Sequence, residues 1–173
     1  GKVAIVTGAG RGLGRAAALA LLEQGVRVLA AARSAGEINE LASLAPASIL
    51  ALPCDMRDLT AVAALPAAAI AKFGRLDIVV NNAGIAPAGD FLEQPDSIWN
   101  EVMAVNVLAP MTLTRAAGQH MIARGAGKIV NVASTSGILG KATLVAYSAS
   151  KGALLQFTKA LAAEWAARGV QVN

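Results

Sequence analysis

Tyr147 and Lys151 stand four residues apart in the run Tyr147-Ser148-Ala149-Ser150-Lys151. On a helix, that spacing places both side chains on one face, one turn apart. A free tyrosine hydroxyl titrates at about 10. A neighbouring ammonium favours the phenolate and draws the value toward working pH. A phenol tuned in this way can pass a proton to or from an alcohol or carbonyl oxygen. Upstream, Asn131-Val132-Ala133-Ser134 closes an apolar run. Ser134 could donate a hydrogen bond to the same oxygen, and Ser136 is close enough to compete for that role.

A second constellation lies near the start, at Thr7-Gly8-Ala9-Gly10-Arg11-Gly12-Leu13-Gly14. Glycines let the backbone turn tightly and approach a ligand closely. The helix expected next offers unpaired N–H groups and the positive end of its dipole. Together they suit a pyrophosphate. The spacing is GxxxGxG, not the commoner GxGxxG. At the end of the second strand an NAD site places an acid on the ribose 2′-hydroxyl. Here Ala32 and then Arg33 occupy that place. A guanidinium can grip a 2′-phosphate through two N–H groups, and Arg11 adds a second positive charge. The expected cofactor is therefore NADP, with NAD as the alternative. Asn81-Asn82-Ala83-Gly84 ends the fourth strand on the same edge, between the two constellations.

The elements that must position these residues are legible as alternating runs. Val3–Thr7, Val26–Ala32, Ser48–Pro53, Leu76–Asn81 and Lys128–Ala133 read as strands. They are nearly continuous in apolar residues, as parallel strands covered on both faces are. Between them, Gly12–Gln24, Ala35–Leu44, Leu59–Phe73, Ser97–Arg124 and Ala146–Arg168 have helical length and spacing. The Ala61–Ala71 stretch reads as helix despite Pro66. The rhythm predicts an α/β fold with a doubly wound parallel sheet, Rossmann-like. Right-handed crossovers then bring the strand C-termini to one edge, where ligands bind at the switch point. Gly1 is not an initiator Met, and Gly169–Asn173 stops as another strand begins. The expectation is a single dinucleotide-binding and catalytic domain over 1–173, cropped before the last strand and without a substrate lid.

Composition narrows the function classes. The chain has 173 residues, one cysteine and one histidine, which exclude an internal disulfide and a Cys/His zinc module. Hydrophobic residues make up 55% and charged ones 15%, a balance that excludes disorder. No apolar run reaches the ~18 residues of a membrane span. The net charge of +4 comes from singly scattered basic residues, and 3% aromatics leave little to stack on bases. A small anionic ligand fits better than a nucleic acid. No metal site is expected. Cys54 reads as a buried small hydrophobe, His120 as a surface or capping residue, and Trp99 and Trp165 as packing residues.

With those motifs in order, the sequence resembles the short-chain dehydrogenase/reductase family in its single-domain branch. Thr7-Gly8-x-x-x-Gly12-x-Gly14 matches that branch's TGxxxGxG, Asn81–Gly84 its NNAG, and Tyr147 with Lys151 its YxxxK. Ser134 lies 13 positions before Tyr147, the usual family spacing, which prefers it over Ser136. Asn106 falls where the family carries a catalytic asparagine. The resemblance implies Tyr147 as acid/base and Lys151 as holder of the nicotinamide ribose. Ser134 would polarise the substrate oxygen, and Asn106 would anchor a water that links Lys151 to solvent. It further implies that Asp55 contacts adenine with Met56 beside it, and that Asn82, Ala83 and Gly84 line the cofactor. Gly8, Gly10, Arg11, Gly12, Leu13 and Gly14 would cradle its phosphates.

The resulting expectation is a cytoplasmic, NADP-preferring oxidoreductase of a secondary alcohol or ketone, a 3-oxoacyl thioester reductase being one subtype. By resemblance it would be a homodimer or homotetramer through its two long helices. Two rivals are a non-catalytic NAD(P)-binding scaffold or sensor and an epimerase or dehydratase. The intact Ser134, Tyr147 and Lys151 disfavour the first. The second would favour a TGxxGxxG turn.

Overall fold

Five of the strands are built mainly from apolar residues, and in the computed structural model, which describes Gly1–Asn173, they assemble with a short sixth. They are β1 (Val3–Thr7), β2 (Arg27–Ala32), β3 (Ile49–Pro53), β4 (Ile78–Asn81), β5 (Gly127–Asn131) and β6 (Val170–Val172). Every pairing is parallel, in the order β3-β2-β1-β4-β5-β6. All five residues of β1 are buried, as a central strand covered on both faces requires. The chain runs outward from β1 in one direction to β3 and in the other through β4 to β6. The reversal between β1 and β4 opens a crevice at their C-terminal ends.

Helices cover both faces. On one, α3 (Leu59–Phe73) and α5 (Ala109–Ala123) pack on Val3, Ile5, Leu29 and Ile129, with Trp165 of α7 (Val145–Trp165) completing the cluster. On the other, α1 (Gly12–Glu23) and α2 (Ala35–Ser43) bring Ala18, Ile38 and Leu41 against Val6, Val28 and Ala30. Pro66 does sit inside α3. An interior proline costs about 3 kcal/mol. Val62, Leu65 and Phe73 are buried on that helix, and at about 1.5–3 kcal/mol each they outweigh it. Asp58 adds an N-cap by accepting from Ala61 N–H at 3.0 Å. No helix is long and apolar enough to cross a membrane.

Three elements differ from the sequence reading. The expected helix Ser97–Arg124 is α4 (Asp96–Met103) and α5 joined by a π-helical turn at Ala104–Leu108. Pro110 has no N–H to give the Asn106 carbonyl, its partner in a regular α-helix. The ladder there closes instead at longer range, Ala109 N–H reaching Ala104 O. A short helix, α6 (Ser136–Leu139), follows the Ser134 loop, too brief for periodicity to reveal. The last long helix ends at Trp165 and continues as a 3₁₀ turn, Ala166–Arg168. The strand that begins at Val170 is formed and hydrogen-bonded to β5. Strand ends move by one or two residues, most at β4 and β5: β4 starts at Ile78 and β5 ends at Asn131.

Candidate active site

Thr7 fastens the glycine turn to the loop after β4. Its hydroxyl donates to Val80 O at 3.4 Å and accepts from the backbone N–H groups of Asn82 and Ala83, each at 3.1 Å. The Asn82 amide returns the contact, donating to Thr7 O at 2.9 Å and Gly8 O at 3.4 Å. Gly8 takes a φ of +66°, which a side chain would strain. A Cβ on Gly14 would strike both Gly8 O and the Asn82 amide. The first turn of α1 therefore lies directly on the turn. Arg11 opens α1 without a side-chain cap, so the helix's first N–H groups stay free for an anion.

A cleft of about 390 Å³ follows this edge. Of the residues singled out from sequence, Gly8, Gly10, Arg11 and Arg33 line one end. Asp55, Met56, Asn82, Ala83 and Gly84 line the rest. Gly12, Leu13 and Gly14 do not line it. Gly14 is a packing contact, Leu13 is 74% exposed, and nothing lies within 4 Å of a Cβ on Gly12.

Lys151 and Asn106 reach the cleft wall behind Gly84; neither they nor Tyr147 and Ser134 line the cleft itself. A Cβ on Gly84 would sit 3.6 Å from Lys151 Nζ and 3.3 Å from Asn106 Oδ1. Lys151 is buried, and its ammonium donates to Val132 O at 2.6 Å. It lies 5.7 Å from the centre of the Tyr147 ring. Burial pushes the Lys151 pKa below the ordinary lysine value. Asn106 is wholly buried in the π turn. Its Oδ1 accepts from Ile85 N–H at 2.9 Å, and its Nδ2 donates to Ile85 O at 2.9 Å and Ser150 Oγ at 3.0 Å. Ser150 in turn donates to Tyr147 O at 2.7 Å. Asn106 thus ties the post-β4 loop to the turn of α7 that carries Tyr147 and Lys151. Ser134 is half-buried in the loop between β5 and α6, and its Oγ accepts from Ser136 N–H at 3.1 Å. Its hydroxyl proton remains available to a ligand.

Electrostatics separate ligand-facing groups from structural ones. Arg57 holds the Asp55 carboxyl below the usual carboxylate range with side-chain hydrogen bonds, Nη2 to Oδ2 at 2.5 Å, and a backbone N–H bond at 2.9 Å. Asp55 therefore enters the cleft already ionised and oriented. Burial pushes the Cys54 thiol up, aided by Asp58 and Asp55, which makes it a poor nucleophile. His120 is exposed in the last turn of α5.

Several residues that shape the site carry no sequence signal of that role. Ser34 and Glu37 line the cleft beside Arg33. Val132 supplies the carbonyl that Lys151 holds. Gly137 of α6 meets α7 so closely that a Cβ would lie 2.7 Å from Lys151 C and 2.9 Å from Gly152 N. The glycine pair in Ser136-Gly137 and Lys151-Gly152 was the available clue, but only the fold brings the two together.

Comparison with known proteins gives one consistent relation. Residues 2–173 match the family model described as short chain dehydrogenase. A galactitol 2-dehydrogenase (L-tagatose-forming) from Cereibacter sphaeroides is 45% identical across this whole chain, which spans 69% of that protein. A 3-oxoacyl-(acyl-carrier-protein) reductase from Salmonella typhimurium is 34% identical across the whole chain, which spans 71% of it. A crystal structure of a short-chain dehydrogenase from Streptomyces avermitilis superposes with a TM-score of 0.95 at 37% identity, covering 99% of this chain and 63% of that one.

Proposed function

The chain belongs to the short-chain dehydrogenase family, and from that premise we propose an oxidoreductase of secondary alcohols and ketones whose hydride chemistry is supplied by a bound nicotinamide dinucleotide. The observation that carries the reading is the buried Lys151, set beside Tyr147 on α7 and against Gly84 at the wall of the glycine-lined cleft. The cleft fits such a group: its glycines bring bare backbone to the surface, and an uncapped helix start would offer its N–H groups to a pyrophosphate.

In this proposal Gly8, Gly10 and Arg11 form the wall of the phosphate cradle, and Gly12, Leu13 and Gly14, which do not line the cleft, serve it only through the backbone N–H groups of the helix start. Asp55 and Met56 receive the adenine end, and Asn82, Ala83 and Gly84 line the middle. Tyr147 gives or takes the proton at the substrate oxygen, and Ser134 donates a hydrogen bond to that oxygen. Lys151 uses one donor on Val132 and keeps two for a ribose hydroxyl. Asn106 keeps α7 and the post-β4 loop in register. Arg33 and Arg11, neither in an ion pair, favour NADP at the ribose end.

Likeness to the galactitol dehydrogenase makes a polyol carbinol the first substrate class to screen, with 3-oxoacyl thioesters second. The proposal includes a homodimer or homotetramer through α4–α5 and α7, supported by Leu108 and Val145, which are 44% and 38% exposed there. Tyr147→Phe tests the central claim. Turnover, followed by absorbance of the reduced nicotinamide, is expected to fall about 10²- to 10⁴-fold, with dinucleotide affinity intact. Unchanged turnover would refute the acid/base role.

A further inference from the structure

Glu37 has no part in the reading above, yet its carboxylate stands in the cleft. Ser34-Ala35-Gly36-Glu37 is the pattern of a capping box. There the N-cap hydroxyl accepts from the N–H three residues on, and the acid three residues on accepts from the N-cap N–H. Only the first half is made, with Ser34 Oγ accepting Glu37 N–H at 3.3 Å. The Glu37 side chain turns instead across the glycine turn, where its carboxylate and Cβ would collide with a Cβ on Gly10. It is half-buried and pairs with no base. Arg15, the nearest basic residue of α1 to form a bridge with α2, goes to Glu40 at 3.7 Å. The acid thus gives up a local partner and lies free at the end of the cleft lined by Arg11, Arg33 and Ser34.

We propose that Glu37 is a coenzyme-specificity residue, accepting a hydrogen bond from an unmodified ribose hydroxyl and repelling a 2′-phosphate. It acts against Arg11 and Arg33, so the choice between NAD and NADP is the balance of one acid with two bases. Discrimination built from a repulsive group alongside attractive ones is a common device. The ribose end of such a cleft lies at the C-terminus of the second strand, and Glu37 lies five residues beyond it, in the first turn of α2. The inference rests on the dinucleotide reading given above.

The test is calorimetric titration of the protein with NADP⁺ and with NAD⁺, for the wild type, the isosteric Glu37→Gln and the truncated Glu37→Ala, at low and high ionic strength. Loss of the carboxylate is expected to tighten NADP⁺ about 3- to 10-fold at low salt. NAD⁺ is expected to hold constant or weaken, and the gain for NADP⁺ should shrink at high salt. A ratio of the two affinities unchanged in both variants overturns the role of Glu37 while leaving the dinucleotide reading intact. A ratio that shifts without regard to salt overturns the electrostatic account. If neither dinucleotide binds the wild type, the cofactor reading falls and this assignment with it.

Discussion

Gly137→Ala should separate catalysis from cofactor binding. A Cβ at this position lies 2.7 Å from Lys151 C and 2.9 Å from both Lys151 O and Gly152 N. All three are backbone atoms of α7, so no rotamer change relieves the contact. To restore an ordinary separation of 3.4 Å, α6 must recede by about 0.7 Å. The shift passes directly to Ser134, whose O accepts from Gly137 N–H at 3.1 Å and whose Oγ accepts from Ser136 N–H at 3.1 Å. A displacement near 1 Å at a reacting group can cost about 10²-fold in rate, so kcat is expected to fall about 10- to 100-fold. Overpacking should cost about 1–3 kcal/mol of stability. Dinucleotide affinity is expected to fall less than kcat, because Lys151 is anchored by Val132 O and the rest of the cleft wall is untouched. Steady-state kinetics with a saturating dinucleotide, a urea melt and a binding titration read the three effects. A folded Gly137→Ala protein with the wild-type kcat would refute the claim that the α6–α7 contact sets the position of Ser134.

Arg33→Asp should weaken NADP about tenfold or more while NAD changes little, since a fork of N–H donors is replaced by a like charge; equal loss for both in a titration would remove the argument from Arg33. Asp77 is expected to contribute to the acid limb of stability. Burial raises its pKa, but hydrogen bonds from Arg75 and Val3 N–H and the charges of Arg75 and Arg124 outweigh that and hold the carboxyl below its usual value. A depressed carboxylate adds stability above the unfolded value near 4, which is lost as pH falls through the lower folded value. Asp77→Asn should therefore cost about 1–3 kcal/mol at neutral pH and flatten the acid limb of urea melts. That range is discounted because the two arginine side chains are 48% and 35% exposed. An unchanged acid limb would show that the cluster is neutral.

What could be read from the sequence was what depends on neighbours along the chain. The turn from Thr7 to Gly14 needs glycines at fixed short spacings, and Tyr147 and Lys151 share a face by helical geometry alone. The strands were legible because a parallel strand buried on both faces cannot alternate, as β1 shows. The hidden part depends on contacts distant in sequence. Nothing local announces that Glu37 will lie over Gly10, that Lys151 will find the Val132 carbonyl, or that Gly137 will meet α7. Asn106 was placed by resemblance, but its bonds to Ile85 and Ser150 arise only when the post-β4 loop and α7 converge on it. The π turn escaped because apolar periodicity cannot register one additional residue. Pro110, four places after Asn106, was the clue available.

That additional residue alters the geometry on both sides of it. One residue of an α-helix subtends about 100°, so the stripes of α4 and α5 are offset by roughly a quarter-turn although the rod is continuous. The offset lets a single rod address two neighbours, α4 and the π turn contacting α7 while α5 contacts α3. Removing one residue between Ala104 and Leu108 would realign the stripes, and only one of those partnerships could then keep its apolar face. The Asn106 amide would swing away from Ile85.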